Sequence, residues 1–184
     1  PEEYGGQGAT FAHEVVMMEE QARIADSTFG FIPGALNGPA FFHGTGSHEQ
    51  LLRWMPGIAS GDQMLCVCIT EPDAGTDVKA MRTTARREGD EYVLNGNKIF
   101  ITLGDQADLV LVAARTGEAG SGAKGLSLFM VEKEKCPGFK VAKIIDKIGQ
   151  NALNTSEIFM EDARVPAENL IGGVEGKGFF QLMD

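Results

Sequence analysis

The chain has 184 residues, 43% hydrophobic and 23% charged, which suits one sizeable core or one domain with a smaller piece attached. A net charge of −10 argues against nucleic acid and against an anionic membrane surface as partners, and no apolar run approaches the roughly 20 residues of a spanning helix. Three cysteines, an odd number, form no disulfide framework and fit a reducing, cytoplasmic setting.

Residues 10–60 carry a helical period. Thr10 can cap a helix that places Phe11, Val15, Met18 and Ala22 at helical spacing. The apolar stretch from Phe29 to Phe42 is broken by Ile32-Pro33-Gly34 and Asn37-Gly38-Pro39, which predicts two short helical pieces or one kinked helix. Ser47-His48-Glu49-Gln50 reads as a capping box ahead of Leu51, Leu52, Trp54, Met55 and Ile58, with Gly61-Asp62 as the stop. Trp54 and the Met17-Met18 pair are expected as core anchors rather than ligand groups. His43 and His48 straddle a Gly-Thr-Gly-Ser turn, share no helical face and read as surface residues.

From Met64 the period switches to two. Strands are expected over 64–70, 82–88, 91–94, 97–102, 108–114, 126–132, 139–145 and 156–164, with Asn95-Gly96 as a hairpin turn and a glycine-rich loop from Gly117 to Gly125. Cys66 and Cys68 fall on one strand face. With no second pair in the sequence they read as core or half-exposed thiols rather than metal ligands. Short strands with regular turns and no intervening helices predict an antiparallel β-barrel or sandwich, not a Rossmann sheet, and Gly172-Gly173-Val174-Glu175-Gly176 is too loose for a dinucleotide fingerprint. The fold class is α+β: a helical part over 1–62, a β domain over 63–175, and the first turns of another helical region over 176–184. The loop-like opening at Pro1 and the interrupted helical pattern before Asp184 read as the ends of a fragment.

Ile69-Thr70-Glu71-Pro72-Asp73-Ala74-Gly75-Thr76-Asp77 follows the apolar run 64–68 and stands out. A strand that ends in hydroxyl, carboxylate, proline and glycine has begun to present polar groups. Pro72 fixes its own φ, Gly75 allows a turn or a close backbone approach, and Thr70 and Thr76 bracket a loop able to offer hydroxyls and amides to an anionic or heteroaromatic ligand. The same composition also serves as a plain connecting turn, and the segment alone does not decide between the two.

In order along the chain, Pro1-Glu2-Glu3-Tyr4-Gly5-Gly6, Gly46-Ser47-His48-Glu49-Gln50, Met55-Pro56-Gly57-Ile58-Ala59-Ser60-Gly61, Thr70-Glu71-Pro72-Asp73-Ala74-Gly75-Thr76-Asp77, Tyr92-Val93-Leu94-Asn95-Gly96-Asn97-Lys98, Phe100-Ile101-Thr102, Val165-Pro166 and Asn169-Leu170-Ile171-Gly172 resemble the acyl-CoA dehydrogenase family. Each piece is weak alone; their order and spacing are specific and span essentially the whole chain. The resemblance implies an N-terminal helical domain, a middle β domain and a C-terminal helical bundle, of which this chain matches the end of the first, all of the second and the opening of the third. It implies FAD as cofactor and desaturation of an acyl-CoA thioester. A glutamate takes the α-proton, the β-hydride passes to the flavin, and electrons leave to an electron-transfer flavoprotein. A full-length homotetramer or homodimer is likewise implied.

Carried over position by position, the resemblance makes Val67, Cys68, Ile69, Thr70, Gly75 and Thr76 one flavin-binding segment, with backbone amides and the Thr70 hydroxyl facing the pyrimidine side, where negative charge builds on reduction. Thr76 matches the position between the FAD pyrophosphate and the acyl-CoA pantetheine. Phe100, Ile101 and Thr102 match the second flavin segment; Phe100 stands where the family often has tryptophan and keeps the apolar wall without the indole donor. Val67 stands where some members carry an aromatic, so only its backbone role transfers. Ala123 and Lys124 fall where members meet the CoA nucleotide, with a merely solvated Lys124 as the alternative. Glu71 matches no base and reads as loop-organising.

No catalytic residue and no metal ligand is assigned within the chain, because the family's base glutamate falls, by this alignment, beyond Asp184. Three readings follow: the platform of an acyl-CoA dehydrogenase, an acyl-CoA oxidase or flavin monooxygenase of the same superfamily, or a non-catalytic binding module. The segments 125–129, 146–149 and 154–157 are most similar to bacterial long-chain-type members.

Overall fold

The computed structural model describes residues 1–24, 38–118 and 120–183. Helix α1 (Phe11–Ile24) begins after Thr10, whose amide N–H donates to His13 Nδ1 at 3.1 Å. The expected role of Met17 and Met18 as core anchors fails. α1 buries none of its residues, and Phe11, Val16 and Met17 stay exposed because no described element covers that apolar face. Most of the stretch 29–42 lies outside the described residues; α2 (Ala40–His43) is its final turn.

Helix α3 (His48–Ser60) has the predicted start. The Gln50 amide donates to Ser47 Oγ at 3.2 Å, and Gln50 Oε1 accepts from the Ser47 amide at 3.0 Å. Gln50 then donates through Nε2 to the carbonyls of Glu168 and Leu170, both at 2.7 Å, so one side chain caps the helix and bolts it to a distant loop. Leu51, Trp54 and Met55 are buried beneath it with Phe42 and Tyr4, and Trp54 Nε1 reaches Glu132 at 3.2 Å. His43 and His48 are exposed, as expected, with ring centroids 6.2 and 6.5 Å from that of Tyr4.

Seven strands form one curled sheet in the order β1 (Leu65–Cys68), β4 (Leu109–Arg115), β2 (Thr84–Glu88), β3 (Glu91–Thr102), β7 (Thr155–Pro166), β6 (Phe139–Ile144), with β5 (Leu126–Glu132) paired to β4. The pairings are antiparallel, as expected, except for parallel β1–β4 and one parallel residue pair between β2 and β4. Every residue of β4 is buried. Val110, Val112 and Ala114 join Cys66, Cys68, Leu94 and Phe129 in one core; Leu109, Leu111 and Ala113 face the other with Leu65, Leu128, Phe42 and Trp54. The period of two thus separates two cores, one under the helices, and each fully buried Val or Leu contributes about 1.5–3 kcal/mol. A short helix, α4 (Gly178–Met183), lies over β5, with Gly178 so close that a Cβ there would sit 2.7 Å from the Ser127 carbonyl carbon.

The expected hairpin at Asn95-Gly96 is not formed. β3 runs through those residues, and the hairpin turns at Gly89-Asp90, where Glu88 faces Glu91 and Gly89 has φ +64°. Asn95-Gly96 is an irregularity in the β3–β7 pairing instead. The Asn95 side chain there receives the Asp162 amide at 2.9 Å and donates to the Asp162 carboxylate at 3.1 Å. Gly96 is needed for space: a Cβ there would lie 2.8 Å from Thr83 Cα. A strand paired on both sides overrode the turn propensity of the dipeptide.

Cys66, Cys68 and Cys136 are free and buried. Burial pushes the Cys66 thiol up and the Cys68 thiol to about 12, so both stay protonated and unreactive at neutral pH. Among the described residues no helix is long and apolar enough to cross a membrane.

Candidate functional site

The two segments singled out in the sequence meet. β1 bonds to β4 along one side only, and the Met64 carbonyl accepts from the Leu109 amide, so strand alternation turns the Val67 amide to the open edge. Past Cys68 the chain leaves the ladder. Among the described residues the amides of Ile69 and Thr70 donate to no backbone carbonyl. β3 reaches this place through a register shift between Lys98 and Ile101, which frees Ile99 from β7 and lets its amide donate to the Thr70 carbonyl at 2.9 Å. Phe100 sits within the shift at φ +60°, a left-handed conformation costing a non-glycine residue about 1–2 kcal/mol. The distortion turns its ring outward, 62% exposed. Ile101 and Cys68 point the other way, into the core, so only their backbone can meet a ligand; Thr102 is exposed at the end of the strand.

A buried ion pair lies under this junction. Lys98 is fully buried, and its Nζ donates to the Ile69 carbonyl at 2.9 Å and to Glu71 Oε1 at 3.0 Å. Glu71 also accepts from the amides of Arg82 at 2.6 Å and Thr83 at 2.9 Å, so it closes the loop 71–82 at its neck. Burial pushes the Glu71 carboxyl up, but the Lys98 ammonium and these two amides outweigh it and hold it below the usual carboxylate range. Burial pulls the Lys98 ammonium down against the attraction of its partner. The loop-organising reading of Glu71 fits this geometry. Lys98 was missed, because a lysine in a polar stretch of strand reads as solvent-facing.

Beyond Glu71 the chain doubles back in a tight Pro72-Asp73 turn closed by mutual hydrogen bonds of Glu71 and Ala74. At Gly75 φ is not positive and among the described residues a Cβ would meet nothing within 4 Å, so no turn or packing contact there demands glycine and the space beside it is open to an approaching group. Thr76 is exposed, and Asp77 receives the Lys79 amide at 3.2 Å to start the turn Val78–Ala80. Arg115 holds this side of the loop. Its guanidinium donates to the carbonyls of Lys79 at 2.7 Å and Met81 at 3.1 Å, and to Ser121 Oγ and the Gly122 carbonyl, both at 3.1 Å. The turn bearing half-buried Ala123 and exposed Lys124 is thereby tied to the strap that follows Thr76. The structure brings Thr70 to the 98–102 stretch, whereas Thr76 lies midway along the loop 71–82, whose later part, Lys79 and Met81, is tied through Arg115 to the turn bearing Ala123 and Lys124.

The donor set fits a flat heteroaromatic group with carbonyl and ring-nitrogen acceptors. It has amides free of the ladder, threonine hydroxyls, an exposed phenyl ring for an apolar wall, and at the neck a carboxylate, Glu71, neutralised by Lys98. A flavin has that shape and acceptor pattern.

The chain matches the family model described as acyl-CoA dehydrogenase, middle domain, over residues 66–163, and that described as acyl-CoA dehydrogenase, N-terminal domain, over residues 1–62. It is 43% identical to cyclohexane-1-carbonyl-CoA dehydrogenase of Geobacter metallireducens, with all of this chain and 47% of that protein covered. It is 40% identical to the mitochondrial long-chain specific acyl-CoA dehydrogenase of Rattus norvegicus, over 99% of this chain and 42% of that protein. The crystal structure of an acyl-CoA dehydrogenase from Geobacillus kaustophilus superposes with a TM-score of 0.89 at 39% identity, covering all of this chain and 48% of that one. The chain thus spans about half the length of the relatives it matches. Relatives named for alicyclic and long-chain substrates are nearly equally similar, so identity does not single out the long-chain type.

Proposed function

Because this chain belongs to the acyl-CoA dehydrogenase family, whose members are FAD flavoproteins, we propose that it is the flavin and substrate platform of an enzyme that introduces an α,β double bond into acyl-CoA thioesters. In this reading residues 1–62 belong to a helical domain, 63–175 to the β domain that bears the site, and 176–184 to the opening of a further helical region. The observation that carries it is the Ile99 amide to Thr70 carbonyl bond, which joins the two segments into one wall of free amides, hydroxyls and an exposed ring.

FAD, when bound, accepts the β-hydride of the substrate. The chain's residues do the rest of what this half contributes. The amides of Val67, Ile69 and Thr70 with the Thr70 hydroxyl bind the pyrimidine edge and favour the electron-rich state. Phe100 packs against the ring system and excludes water, Thr102 donates near the reacting nitrogen, and Thr76 with the Ala123-Lys124 turn orients phosphate and pantetheine. Glu71 is unsuited to take the α-proton. It is buried, paired with Lys98 and held below the usual carboxylate range, whereas a base needs an accessible lone pair. We assign the base to a part of the protein outside this chain, and electron transfer to a separate electron-transfer flavoprotein.

The test is anaerobic addition of saturated acyl-CoA thioesters to the full-length protein loaded with FAD. Bleaching of the flavin's blue absorption band supports the reading, and an unchanged spectrum with short, long, branched and alicyclic thioesters overturns it. Rapid return of the bleached band on admitting air would reassign the enzyme to the oxidase class.

A further inference from the structure

The Lys98–Glu71 pair is the one fully desolvated ion pair among the described residues, and the proposed chemistry has not used it. A buried pair is a poor stability device, since the cost of desolvating two charges offsets much of their attraction. Its position supplies another role. The Ile69 carbonyl that receives Lys98 Nζ at 2.9 Å belongs to the same peptide group as the Thr70 amide, and that amide donates to no backbone carbonyl among the described residues. A cation bound to a peptide oxygen draws electron density from the nitrogen and makes the N–H a stronger donor, and in a low dielectric such chains reinforce each link. Glu71, fixed by the amides of Arg82 and Thr83, orients the ammonium on its far side. The relay therefore runs from carboxylate to ammonium to carbonyl to amide, with its positive end toward the outer face.

We infer that Lys98, oriented by Glu71, is a positioning residue that acts through the Ile69–Thr70 peptide to strengthen the Thr70 amide as a donor to the reduced, anionic flavin, and so raises the reduction potential of the bound cofactor. This rests on the flavin reading above. Lys98 touches neither cofactor nor substrate in this scheme. Its effect is differential: the oxidised ring carries no charge at the pyrimidine edge and gains little, while the reduced ring gains the full benefit.

The test uses the full-length protein with FAD. In Lys98→Met/Glu71→Gln both charges are removed together, which avoids stranding a lone buried ion. One FAD per chain is retained, and the preference for reduced over oxidised FAD falls about tenfold, a drop of about 30 mV in the two-electron midpoint potential measured against a redox dye. Lys98→Gln/Glu71→Gln keeps polar groups without charge, gives the same drop, and carries the test if the methionine variant is unstable. Lys98→Arg, which keeps the cation, restores most of the potential. A potential equal to wild type in a neutral-pair variant that still binds FAD overturns the relay while leaving the flavin reading intact. A wild-type protein that binds no FAD overturns the flavin reading, and the relay falls with it.

Discussion

At the scale of single residues, Lys98 and Glu71 show how far a sequence pattern reaches. Removing one partner leaves an uncompensated buried charge, so Lys98→Ala should cost about 3 kcal/mol or more of stability in urea denaturation, far above the 0–1 kcal/mol of exposed pairs such as Lys140–Glu161. The pair also sets a pH dependence. The Glu71 carboxyl is lower in the folded chain than in the unfolded one, so its contribution is fully present above about pH 4.3 and is lost as pH falls through the lower folded value. Wild type should lose stability steeply below about pH 4, and Glu71→Gln should show a shallower fall over that window; parallel curves would refute the assignment. Thr70 stood out because a polar turn after a strand is unusual in one dimension, whereas Phe100 and Thr102 were singled out only by the family resemblance. The left-handed conformation of Phe100 was not legible, since β propensity favours an ordinary extended phenylalanine there.

Among the elements, those with a local signal were read well. Ser47 and Gln50 encode the start of α3 within four residues, and Ser47→Ala should cost about 1 kcal/mol in thermal unfolding. β4 was expected over 108–114 and is observed at Leu109–Arg115. Asn95-Gly96 misled because its meaning depends on partners 13 and 67 positions away in the chain, Thr83 beside Gly96 and Asp162 beside Asn95. Gly96→Ala pushes a methyl against the Thr83 backbone and should destabilise by about 1–3 kcal/mol in thermal unfolding. Helix α1 has a helical period and no burial, so periodicity gave its secondary structure and said nothing about what covers it.

For the whole molecule, the curled sheet supplies rigid backbone at β1 and β3, and the loop 71–82, braced by Glu71 at its neck and Arg115 at its far side, carries the remaining groups. On the proposed reading this platform is one side of a ligand site, so the 184-residue chain alone should retain FAD poorly; the exposed Phe11, Val16 and Met17 of α1 should make it self-associate in sedimentation velocity. The central claim is that the 67–76 segment and the 99–102 stretch form the wall against which flavin lies. Gly75 tests it directly, because among the described residues nothing lies within 4 Å of a Cβ there, and on the proposed reading flavin fills that space. Titrating FAD into full-length apo-protein, wild type and Gly75→Leu, should show affinity reduced tenfold or more in the variant at an unchanged apo-protein melting temperature. Equal FAD affinity in the two proteins would contradict the account.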